Sequence, residues 1–153
     1  MNIKKCLAPL LILLPFLAFA QTAAEMDIML EADTVSAAKA ARFALATADL
    51  LPAELSGPEA ERAAYKTAAS KGWVKIAAED KITLKDTAFL IMNAFSLKGG
   101  VMYSVVKSPR YAYREMVYLK LIQGIADPAM KVSGPRFLAI LDKTSMYAGY
   151  EGQ

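Results

Sequence analysis

A spacing of about fifty residues recurs along the chain, and it constrains the fold more than any single helix or strand propensity does. Residue types that cap or stop helices recur in three pairs. Ser56 and Ser108 are 52 residues apart, Gly72 and Gly124 are 52 apart, and Thr83 and Ser133 are 50 apart. Each unit therefore consists of a helix, a glycine stop, a loop and a second, capped helix. Units this small cannot bury a core alone, so we expect them to pack on one another.

Cap and stop signals predict an all-α domain over residues 21–153. The first helix is expected from about Glu25 to Glu31, and the second from about Val35 to Asp49, after a cap at Asp33 or Thr34. The third is expected from the Ser56–Glu59 capping box to about Ser70. Three more helices are expected to begin at Thr83, Ser108 and Ser133. The β-favouring run Val101–Val106 is predicted to be a loop or a short extended segment. The domain then consists of a partial unit at about 25–52 and full units at about 56–96 and 108–146.

The first twenty residues have the three parts of a secretory signal peptide in the required order. Lys4 and Lys5 form the positive start, Leu7–Leu17 the apolar core, and Ala18–Ala20 the small-residue cleavage site. We expect cleavage after Ala20, which leaves a periplasmic or cell-surface protein without a transmembrane anchor. The only cysteine, Cys6, is expected to leave with the signal peptide.

Composition argues against catalysis, metal binding and nucleic-acid binding. The chain has no histidine, and the mature part has no cysteine, which removes the usual general base, metal ligand and thiol nucleophile. Its acidic residues are not spaced at the alternate positions from which a calcium-binding loop supplies its oxygen ligands. The net charge of +3 falls to +1 without Lys4 and Lys5, which is not typical of a nucleic-acid binder. We therefore predict a binding module with no catalytic site, metal or cofactor.

Two stretches carry a resemblance to a known family. They are Gly72–Phe95, GWVKIAAEDKITLKDTAFLIMNAF, and Tyr113–Leu141, YREMVYLKLIQGIADPAMKVSGPRFLAIL. Their helix, glycine, loop and Thr-containing cap resemble the S-layer homology (SLH) module, although Leu84 stands where that family has an arginine. The resemblance implies a pseudo-symmetric bundle of tandem helix-loop-helix units in an envelope protein. SLH modules anchor exported proteins to cell-wall-linked polysaccharide, and the resemblance implies a related partner here.

The densest polar and aromatic cluster lies between Ser108 and Glu115. Its candidate ligand-binding residues are Arg110, Tyr111, Tyr113 and Arg114. Guanidinium groups at a helix start can bind an anionic sugar or phosphate, and tyrosine rings can stack on sugars. Alternatively, the tyrosines pack between units and the arginines neutralise nearby carboxylates.

Trp73 and Arg136 complete the predicted site. Trp73 can present its indole to a ligand or fill the gap between the two helices of its unit. The expected partner is an envelope glycan or an envelope protein. A second hypothesis is a structural subunit that assembles with itself or with an outer-membrane partner. A third is carriage of a lipid or small apolar ligand between the alanine-rich helices.

Overall fold

The computed structural model describes residues 23–124 and 127–151, and every regular element in these two ranges is a helix. The helices are α1 (23–31), α2 (Ala37–Thr47), α3 (Gly57–Ser70), α4 (Leu84–Ala94), α5 (Val101–Val105), α6 (Pro109–Tyr118) and α7 (Gly134–Glu151). The all-α prediction is confirmed. The predicted signal peptide, residues 1–20, lies outside the described residues.

Three segments that directly precede α2, α4 and α7 meet in the core, and we call their meeting point the hub. The Val35 amide donates to the Val132 carbonyl (2.9 Å), the Ile82 amide to Val35 (2.9 Å) and the Val132 amide to Ile82 (3.3 Å). All three side chains are fully buried. Because each segment donates to one neighbour and accepts from the other, the three hydrogen bonds form a closed ring between residues far apart in the chain.

The first amides of the same three helices also donate to main-chain carbonyl groups. The Ala37 amide donates to the Asp80 carbonyl (2.9 Å), the Leu84 amide to the Met130 carbonyl (2.9 Å) and the Gly134 amide to the Ala32 carbonyl (2.7 Å). Free amides at a helix start would otherwise attract anions. At the hub these donors are used to hold the segments together.

Alanine lines the contact between α2 and α3. The fully buried alanines are Ala37, Ala40, Ala41 and Ala44 of α2 and Ala60, Ala64 and Ala68 of α3. Small side chains let the two helices approach closely, and this pair forms one of the two most extensive helix contacts. The alanine-rich faces are therefore used for helix packing.

Helix α4 lies at the centre of the bundle. Eight of its eleven residues are buried, and it packs extensively on α6 and also contacts α2 and α7. The predicted units pair α3 with α4 and α6 with α7, whereas the most extensive contacts join α2 to α3 and α4 to α6. The most extensive packing therefore joins helices that the prediction assigned to different units.

Two predictions about regular structure are wrong. Val101–Val105 forms helix α5 instead of a loop or extended segment, because the described part of the chain has no strand to pair with it and a helical turn buries Tyr103. Helix α6 ends at Tyr118, well before the predicted stop at Gly124, and the residue that turns left-handed after it is Lys120 (φ 59°), although Gly124 is left-handed as well (φ 80°). The stop at Gly72 is confirmed, with φ 70°.

The helix caps also differ in part from the predictions. Ser36, and not Asp33 or Thr34, caps α2, and its hydroxyl accepts from the Lys39 amide at 3.4 Å. Ser56 makes no side-chain cap hydrogen bond, so the predicted capping box of α3 does not form. Thr83 does cap α4.

Glu25 of α1 replaces the missing cap of α3. Its Oε1 accepts from the Gly57 amide at 2.8 Å, and its Oε2 forms an ion pair with Arg42 of α2 at 2.9 Å. The Arg42 side chain is only 12% exposed. One carboxylate thus joins three helices and partners a guanidinium that is mostly removed from water.

Replacing Glu25 by alanine should lower the free energy of unfolding by about 2 kcal/mol, because two hydrogen bonds to a charged group are lost and Arg42 loses its ion pair. The partial exposure of both side chains keeps the cost below that of a fully buried pair. Urea unfolding followed by circular dichroism measures the change. Asp27→Ala, an exposed acid on the same helix, is the control and should change stability by less than about 0.5 kcal/mol. Equal effects of the two changes would contradict this role of Glu25.

Candidate ligand-binding grooves

Helix α5 is held on α4 by a single buried side chain, that of Tyr103. The Tyr103 ring is 3% exposed and meets Phe89 of α4 edge-on, with 6.5 Å between ring centroids and 78° between planes. Burial raises the pKa of the Tyr103 phenol, and a hydrogen bond with the Asn93 side chain acts in the opposite direction. The phenol is therefore protonated at neutral pH and takes part in a hydrogen bond at the edge of the core.

Gly99 makes room for this ring. Its φ of +51° favours glycine, and a Cβ atom at this position would lie 2.7 Å from Cδ1 of Tyr103 and 3.1 Å from Cε of Met92. Both the backbone conformation and the close approach therefore require glycine. The Gly99–Gly100 pair sets the path of the chain from α4 into α5.

The larger of two depressions beside α5 is the Trp73 groove, with a volume of about 600 Å³. Its lining consists of Trp73, Met92, Asn93, Ser96, Leu97, Lys98, Tyr103, Ser104 and Lys107. Aromatic, cationic and neutral polar groups thus face one space. The Lys71 ammonium lies 4.9 Å from the centroid of the Trp73 ring, which favours a fixed orientation of the indole.

The second depression, the Arg114 groove, has a volume of about 280 Å³. Its lining consists of Gly100, Val101, Met102, Tyr103, Tyr111, Arg114, Glu115 and Tyr118. Tyr103 lines both grooves. A smaller depression of about 210 Å³ shares Leu97 and Lys98 with the first groove, and Gly100 and Glu115 with the second. The first two depressions therefore lie on α5, and the third lies beside the glycine pair that precedes it.

The structure brings together some of the predicted site residues. Tyr111 and Arg114 line one groove, and Trp73 lines the neighbouring one. Arg110 is exposed in the first turn of α6, whereas Tyr113 is half-buried and packs against the core. Arg136 lines neither groove: its guanidinium contacts the Met130 sulfur (3.0 Å) and donates to the Gln123 carbonyl (3.2 Å), which holds the loop between α6 and α7.

Most of the polar lining of the Trp73 groove was missed by the sequence analysis. The lining residues that were not in the predicted site are Asn93, Ser96, Lys98, Tyr103, Ser104 and Lys107. Asn93 belongs to α4, whereas Tyr103 and Ser104 belong to α5 and Lys107 follows it, so an extended segment would not have placed these last three beside Trp73. The sequence feature that could have indicated this lining is Tyr103 within the valine-rich run Val101–Val106, which has Lys98 before it and Lys107 after it.

In residues 23–124 and 127–151, no three acidic, histidine or cysteine side chains come together where they could hold a metal ion. None of the helices in these ranges is both long and apolar enough to cross a lipid bilayer. No protein-family model matches the chain, and no curated protein or solved structure is significantly similar to it.

Proposed function

We propose that the protein is an exported cell-envelope module that binds an anionic envelope glycan in the Trp73 groove. The observation that carries this proposal is the meeting of Trp73 with Lys98 and Lys107 around one space of about 600 Å³. That volume lies within the range of small-ligand sites, which is roughly 300–1,000 Å³.

Three kinds of side chain in the groove suit a sugar that carries a negative charge. The flat face of Trp73 can stack on the apolar face of a sugar ring. Lys98 and Lys107 can pair with a carboxylate or phosphate, since each ammonium group has three donors. The lining also supplies neutral donors and acceptors for sugar hydroxyls from Asn93 and Ser104.

The hub supports an SLH-like arrangement of three tandem units. It joins the segments before α2, α4 and α7, which are the second helices of the partial unit and of the two full units. Three units around a pseudo-threefold axis would produce this closed ring of hydrogen bonds. Leu84, at the position of the family's arginine, is fully buried at the start of α4. A charged ligand must therefore be bound by other cations, and the lysines of the Trp73 groove are the ones we propose.

The proposal is tested with purified cell-wall polysaccharide that has been treated with protease. The Lys98→Gln/Lys107→Gln double variant should bind about tenfold more weakly than wild type, which corresponds to about 1.4 kcal/mol. Both lysines are exposed, so these changes should leave the fold intact. Co-sedimentation with the insoluble polysaccharide gives the dissociation constant.

The matched control is Lys66→Gln/Lys75→Gln, which removes two exposed lysines that do not line the groove. It should bind within about twofold of wild type, because neither lysine lines the groove and exposed charges outside a site are partly screened by salt. Equal retention of both double variants would argue against the groove. Binding that disappears after protease treatment would indicate an envelope protein as the partner and would contradict the glycan proposal.

A further inference from the structure

Helix α5 and the end of α6 expose a cluster of large apolar side chains, which we call the α5 tip. It consists of Val101, Met102, Val105, Val106 and Tyr118. Val101 is 79% exposed, Val105 76% and Tyr118 81%. Val101, Met102 and Tyr118 line the same Arg114 groove, so they form one patch. Large exposed apolar patches mark surfaces that are covered by a partner or a membrane.

The charged residues on either side of α5 in the sequence are cations as far as Arg114. Between Asp86 and Glu115 there are four basic residues and no acidic one: Lys98, Lys107, Arg110 and Arg114. All four are exposed, and none forms an ion pair with an acid in the described part of the chain. Arg114 lines the Arg114 groove together with the apolar residues of the tip. The one acid in that groove, Glu115, is half-buried.

We propose that the α5 tip docks on the surface of a bilayer that contains anionic phospholipids. The valines and Met102 enter the boundary between headgroups and acyl chains, and Tyr118 lies at the headgroup level, where an aromatic ring with a polar hydroxyl is favoured. The four cations pair with lipid phosphates, and each one near a negative membrane surface strengthens binding roughly fivefold. This inference does not depend on glycan binding in the Trp73 groove.

Charge complementarity favours a lipid surface over a protein partner. The cations lie on both sides of α5 in the sequence, before it at Lys98 and after it at Lys107 and Arg110. Arg114 lines one groove with Val101, Met102 and Tyr118, so an anionic surface that takes up these apolar side chains also meets a cation. Peripheral proteins bind membranes through this combination of apolar insertion and charge attraction.

The proposal is tested by sedimenting the purified protein with vesicles of equal parts phosphatidylglycerol and phosphatidylcholine. Wild type should bind these vesicles at least roughly tenfold more tightly than vesicles of phosphatidylcholine alone. Val101→Ser/Val105→Ser should weaken this binding by roughly tenfold or more, because two apolar side chains no longer enter the membrane. Arg110→Gln/Arg114→Gln should weaken it to a similar degree and reduce its dependence on salt.

Two matched controls separate the tip from general surface effects. Ile28→Ser/Leu30→Ser removes two exposed apolar side chains of α1, and Arg62→Gln/Lys66→Gln removes two exposed cations of α3. Both should bind within about twofold of wild type. Val101, Val105, Arg110 and Arg114 do not line the Trp73 groove, so loss of vesicle binding with retained polysaccharide binding is distinguishable from failure of the glycan proposal.

Three outcomes would overturn the lipid proposal. The first is wild-type protein that stays in the supernatant with anionic vesicles. The second is equal binding by the tip variants and their controls. The third is a dimer in vesicle-free light scattering that the Val101→Ser/Val105→Ser variant abolishes, because the tip would then be covered by a second copy of the chain.

Discussion

Replacing Gly134 by alanine is expected to lower the free energy of unfolding by more than about 3 kcal/mol, the upper end of the usual cost of overpacking. A Cβ atom at this position would lie 1.6 Å from the Met29 carbonyl oxygen and 2.7 Å from the Met29 carbonyl carbon. Neither is the flexible end of a side chain, so α1 as a whole must move away. That movement also breaks the 2.7 Å hydrogen bond from the Gly134 amide to Ala32, which ties α7 to the segment preceding α2.

Gly149 provides the matched control, because it lies on the same helix and a Cβ atom there would meet no atom within 4 Å. Gly149→Ala should stabilise the protein slightly, by up to about 1 kcal/mol, through the higher helix propensity of alanine. Urea or thermal unfolding followed by circular dichroism measures both variants. If Gly134→Ala behaved like Gly149→Ala, the close contact between α1 and the start of α7 would be wrong.

The sequence predicted where helices begin better than it predicted what holds those beginnings together. The hydroxyl of Thr83 signals the start of α4 because a cap is a local interaction between residues three apart. The hydrogen bonds among Val35, Ile82 and Val132 are not local, and a buried valine or isoleucine has the same sequence signature in any core. The repeat spacing indicated that the units pack together, but it did not identify the residues at which they meet.

Caps that come from distant residues were also beyond the sequence analysis. Ser56 and Glu59 have the spacing of a capping box, and that pattern alone cannot reveal that a carboxylate 32 residues earlier in the chain accepts from the Gly57 amide. In the sequence nothing distinguishes Glu25 from other acidic residues of a helix, because its role depends on how α1 packs on α2 and α3. The same holds for Gly134, which is a plausible helix-start residue in sequence and a position of backbone contact in the structure.

The sequence analysis named some of the residues that line the grooves, and it missed others because it did not predict helix α5. Trp73, Tyr111 and Arg114 were singled out by residue type and do line the grooves. Part of the remaining lining belongs to α5, whose valines favour strands by intrinsic preference. Tertiary packing overrode that preference, because one helical turn places Tyr103 in the core while its neighbours remain exposed. The arrangement of both grooves therefore depends on how α5 packs, through Tyr103 on α4 and through its contact with α6.

Replacing Tyr103 by alanine should lower the free energy of unfolding by about 3 kcal/mol, as expected when a large buried aromatic side chain is lost from a core. No other residue of α5 is buried, so the helix loses its only anchor on α4. Trp73 is the only tryptophan in the chain and lines the same groove as Tyr103. Its emission should therefore shift to longer wavelength, because detachment of α5 admits water to the indole.

Tyr118→Ala is the matched control, since it removes a tyrosine that is 81% exposed. It should change stability by less than about 0.5 kcal/mol and leave the Trp73 emission unchanged. Tyr103→Phe should fall between the two, at about 1 kcal/mol, because it keeps the ring on Phe89 and loses only the hydrogen bond with Asn93. If Tyr103→Ala were no more costly than Tyr118→Ala, α5 would be held by something other than Tyr103. The grooves on either side of it would then not depend on this ring.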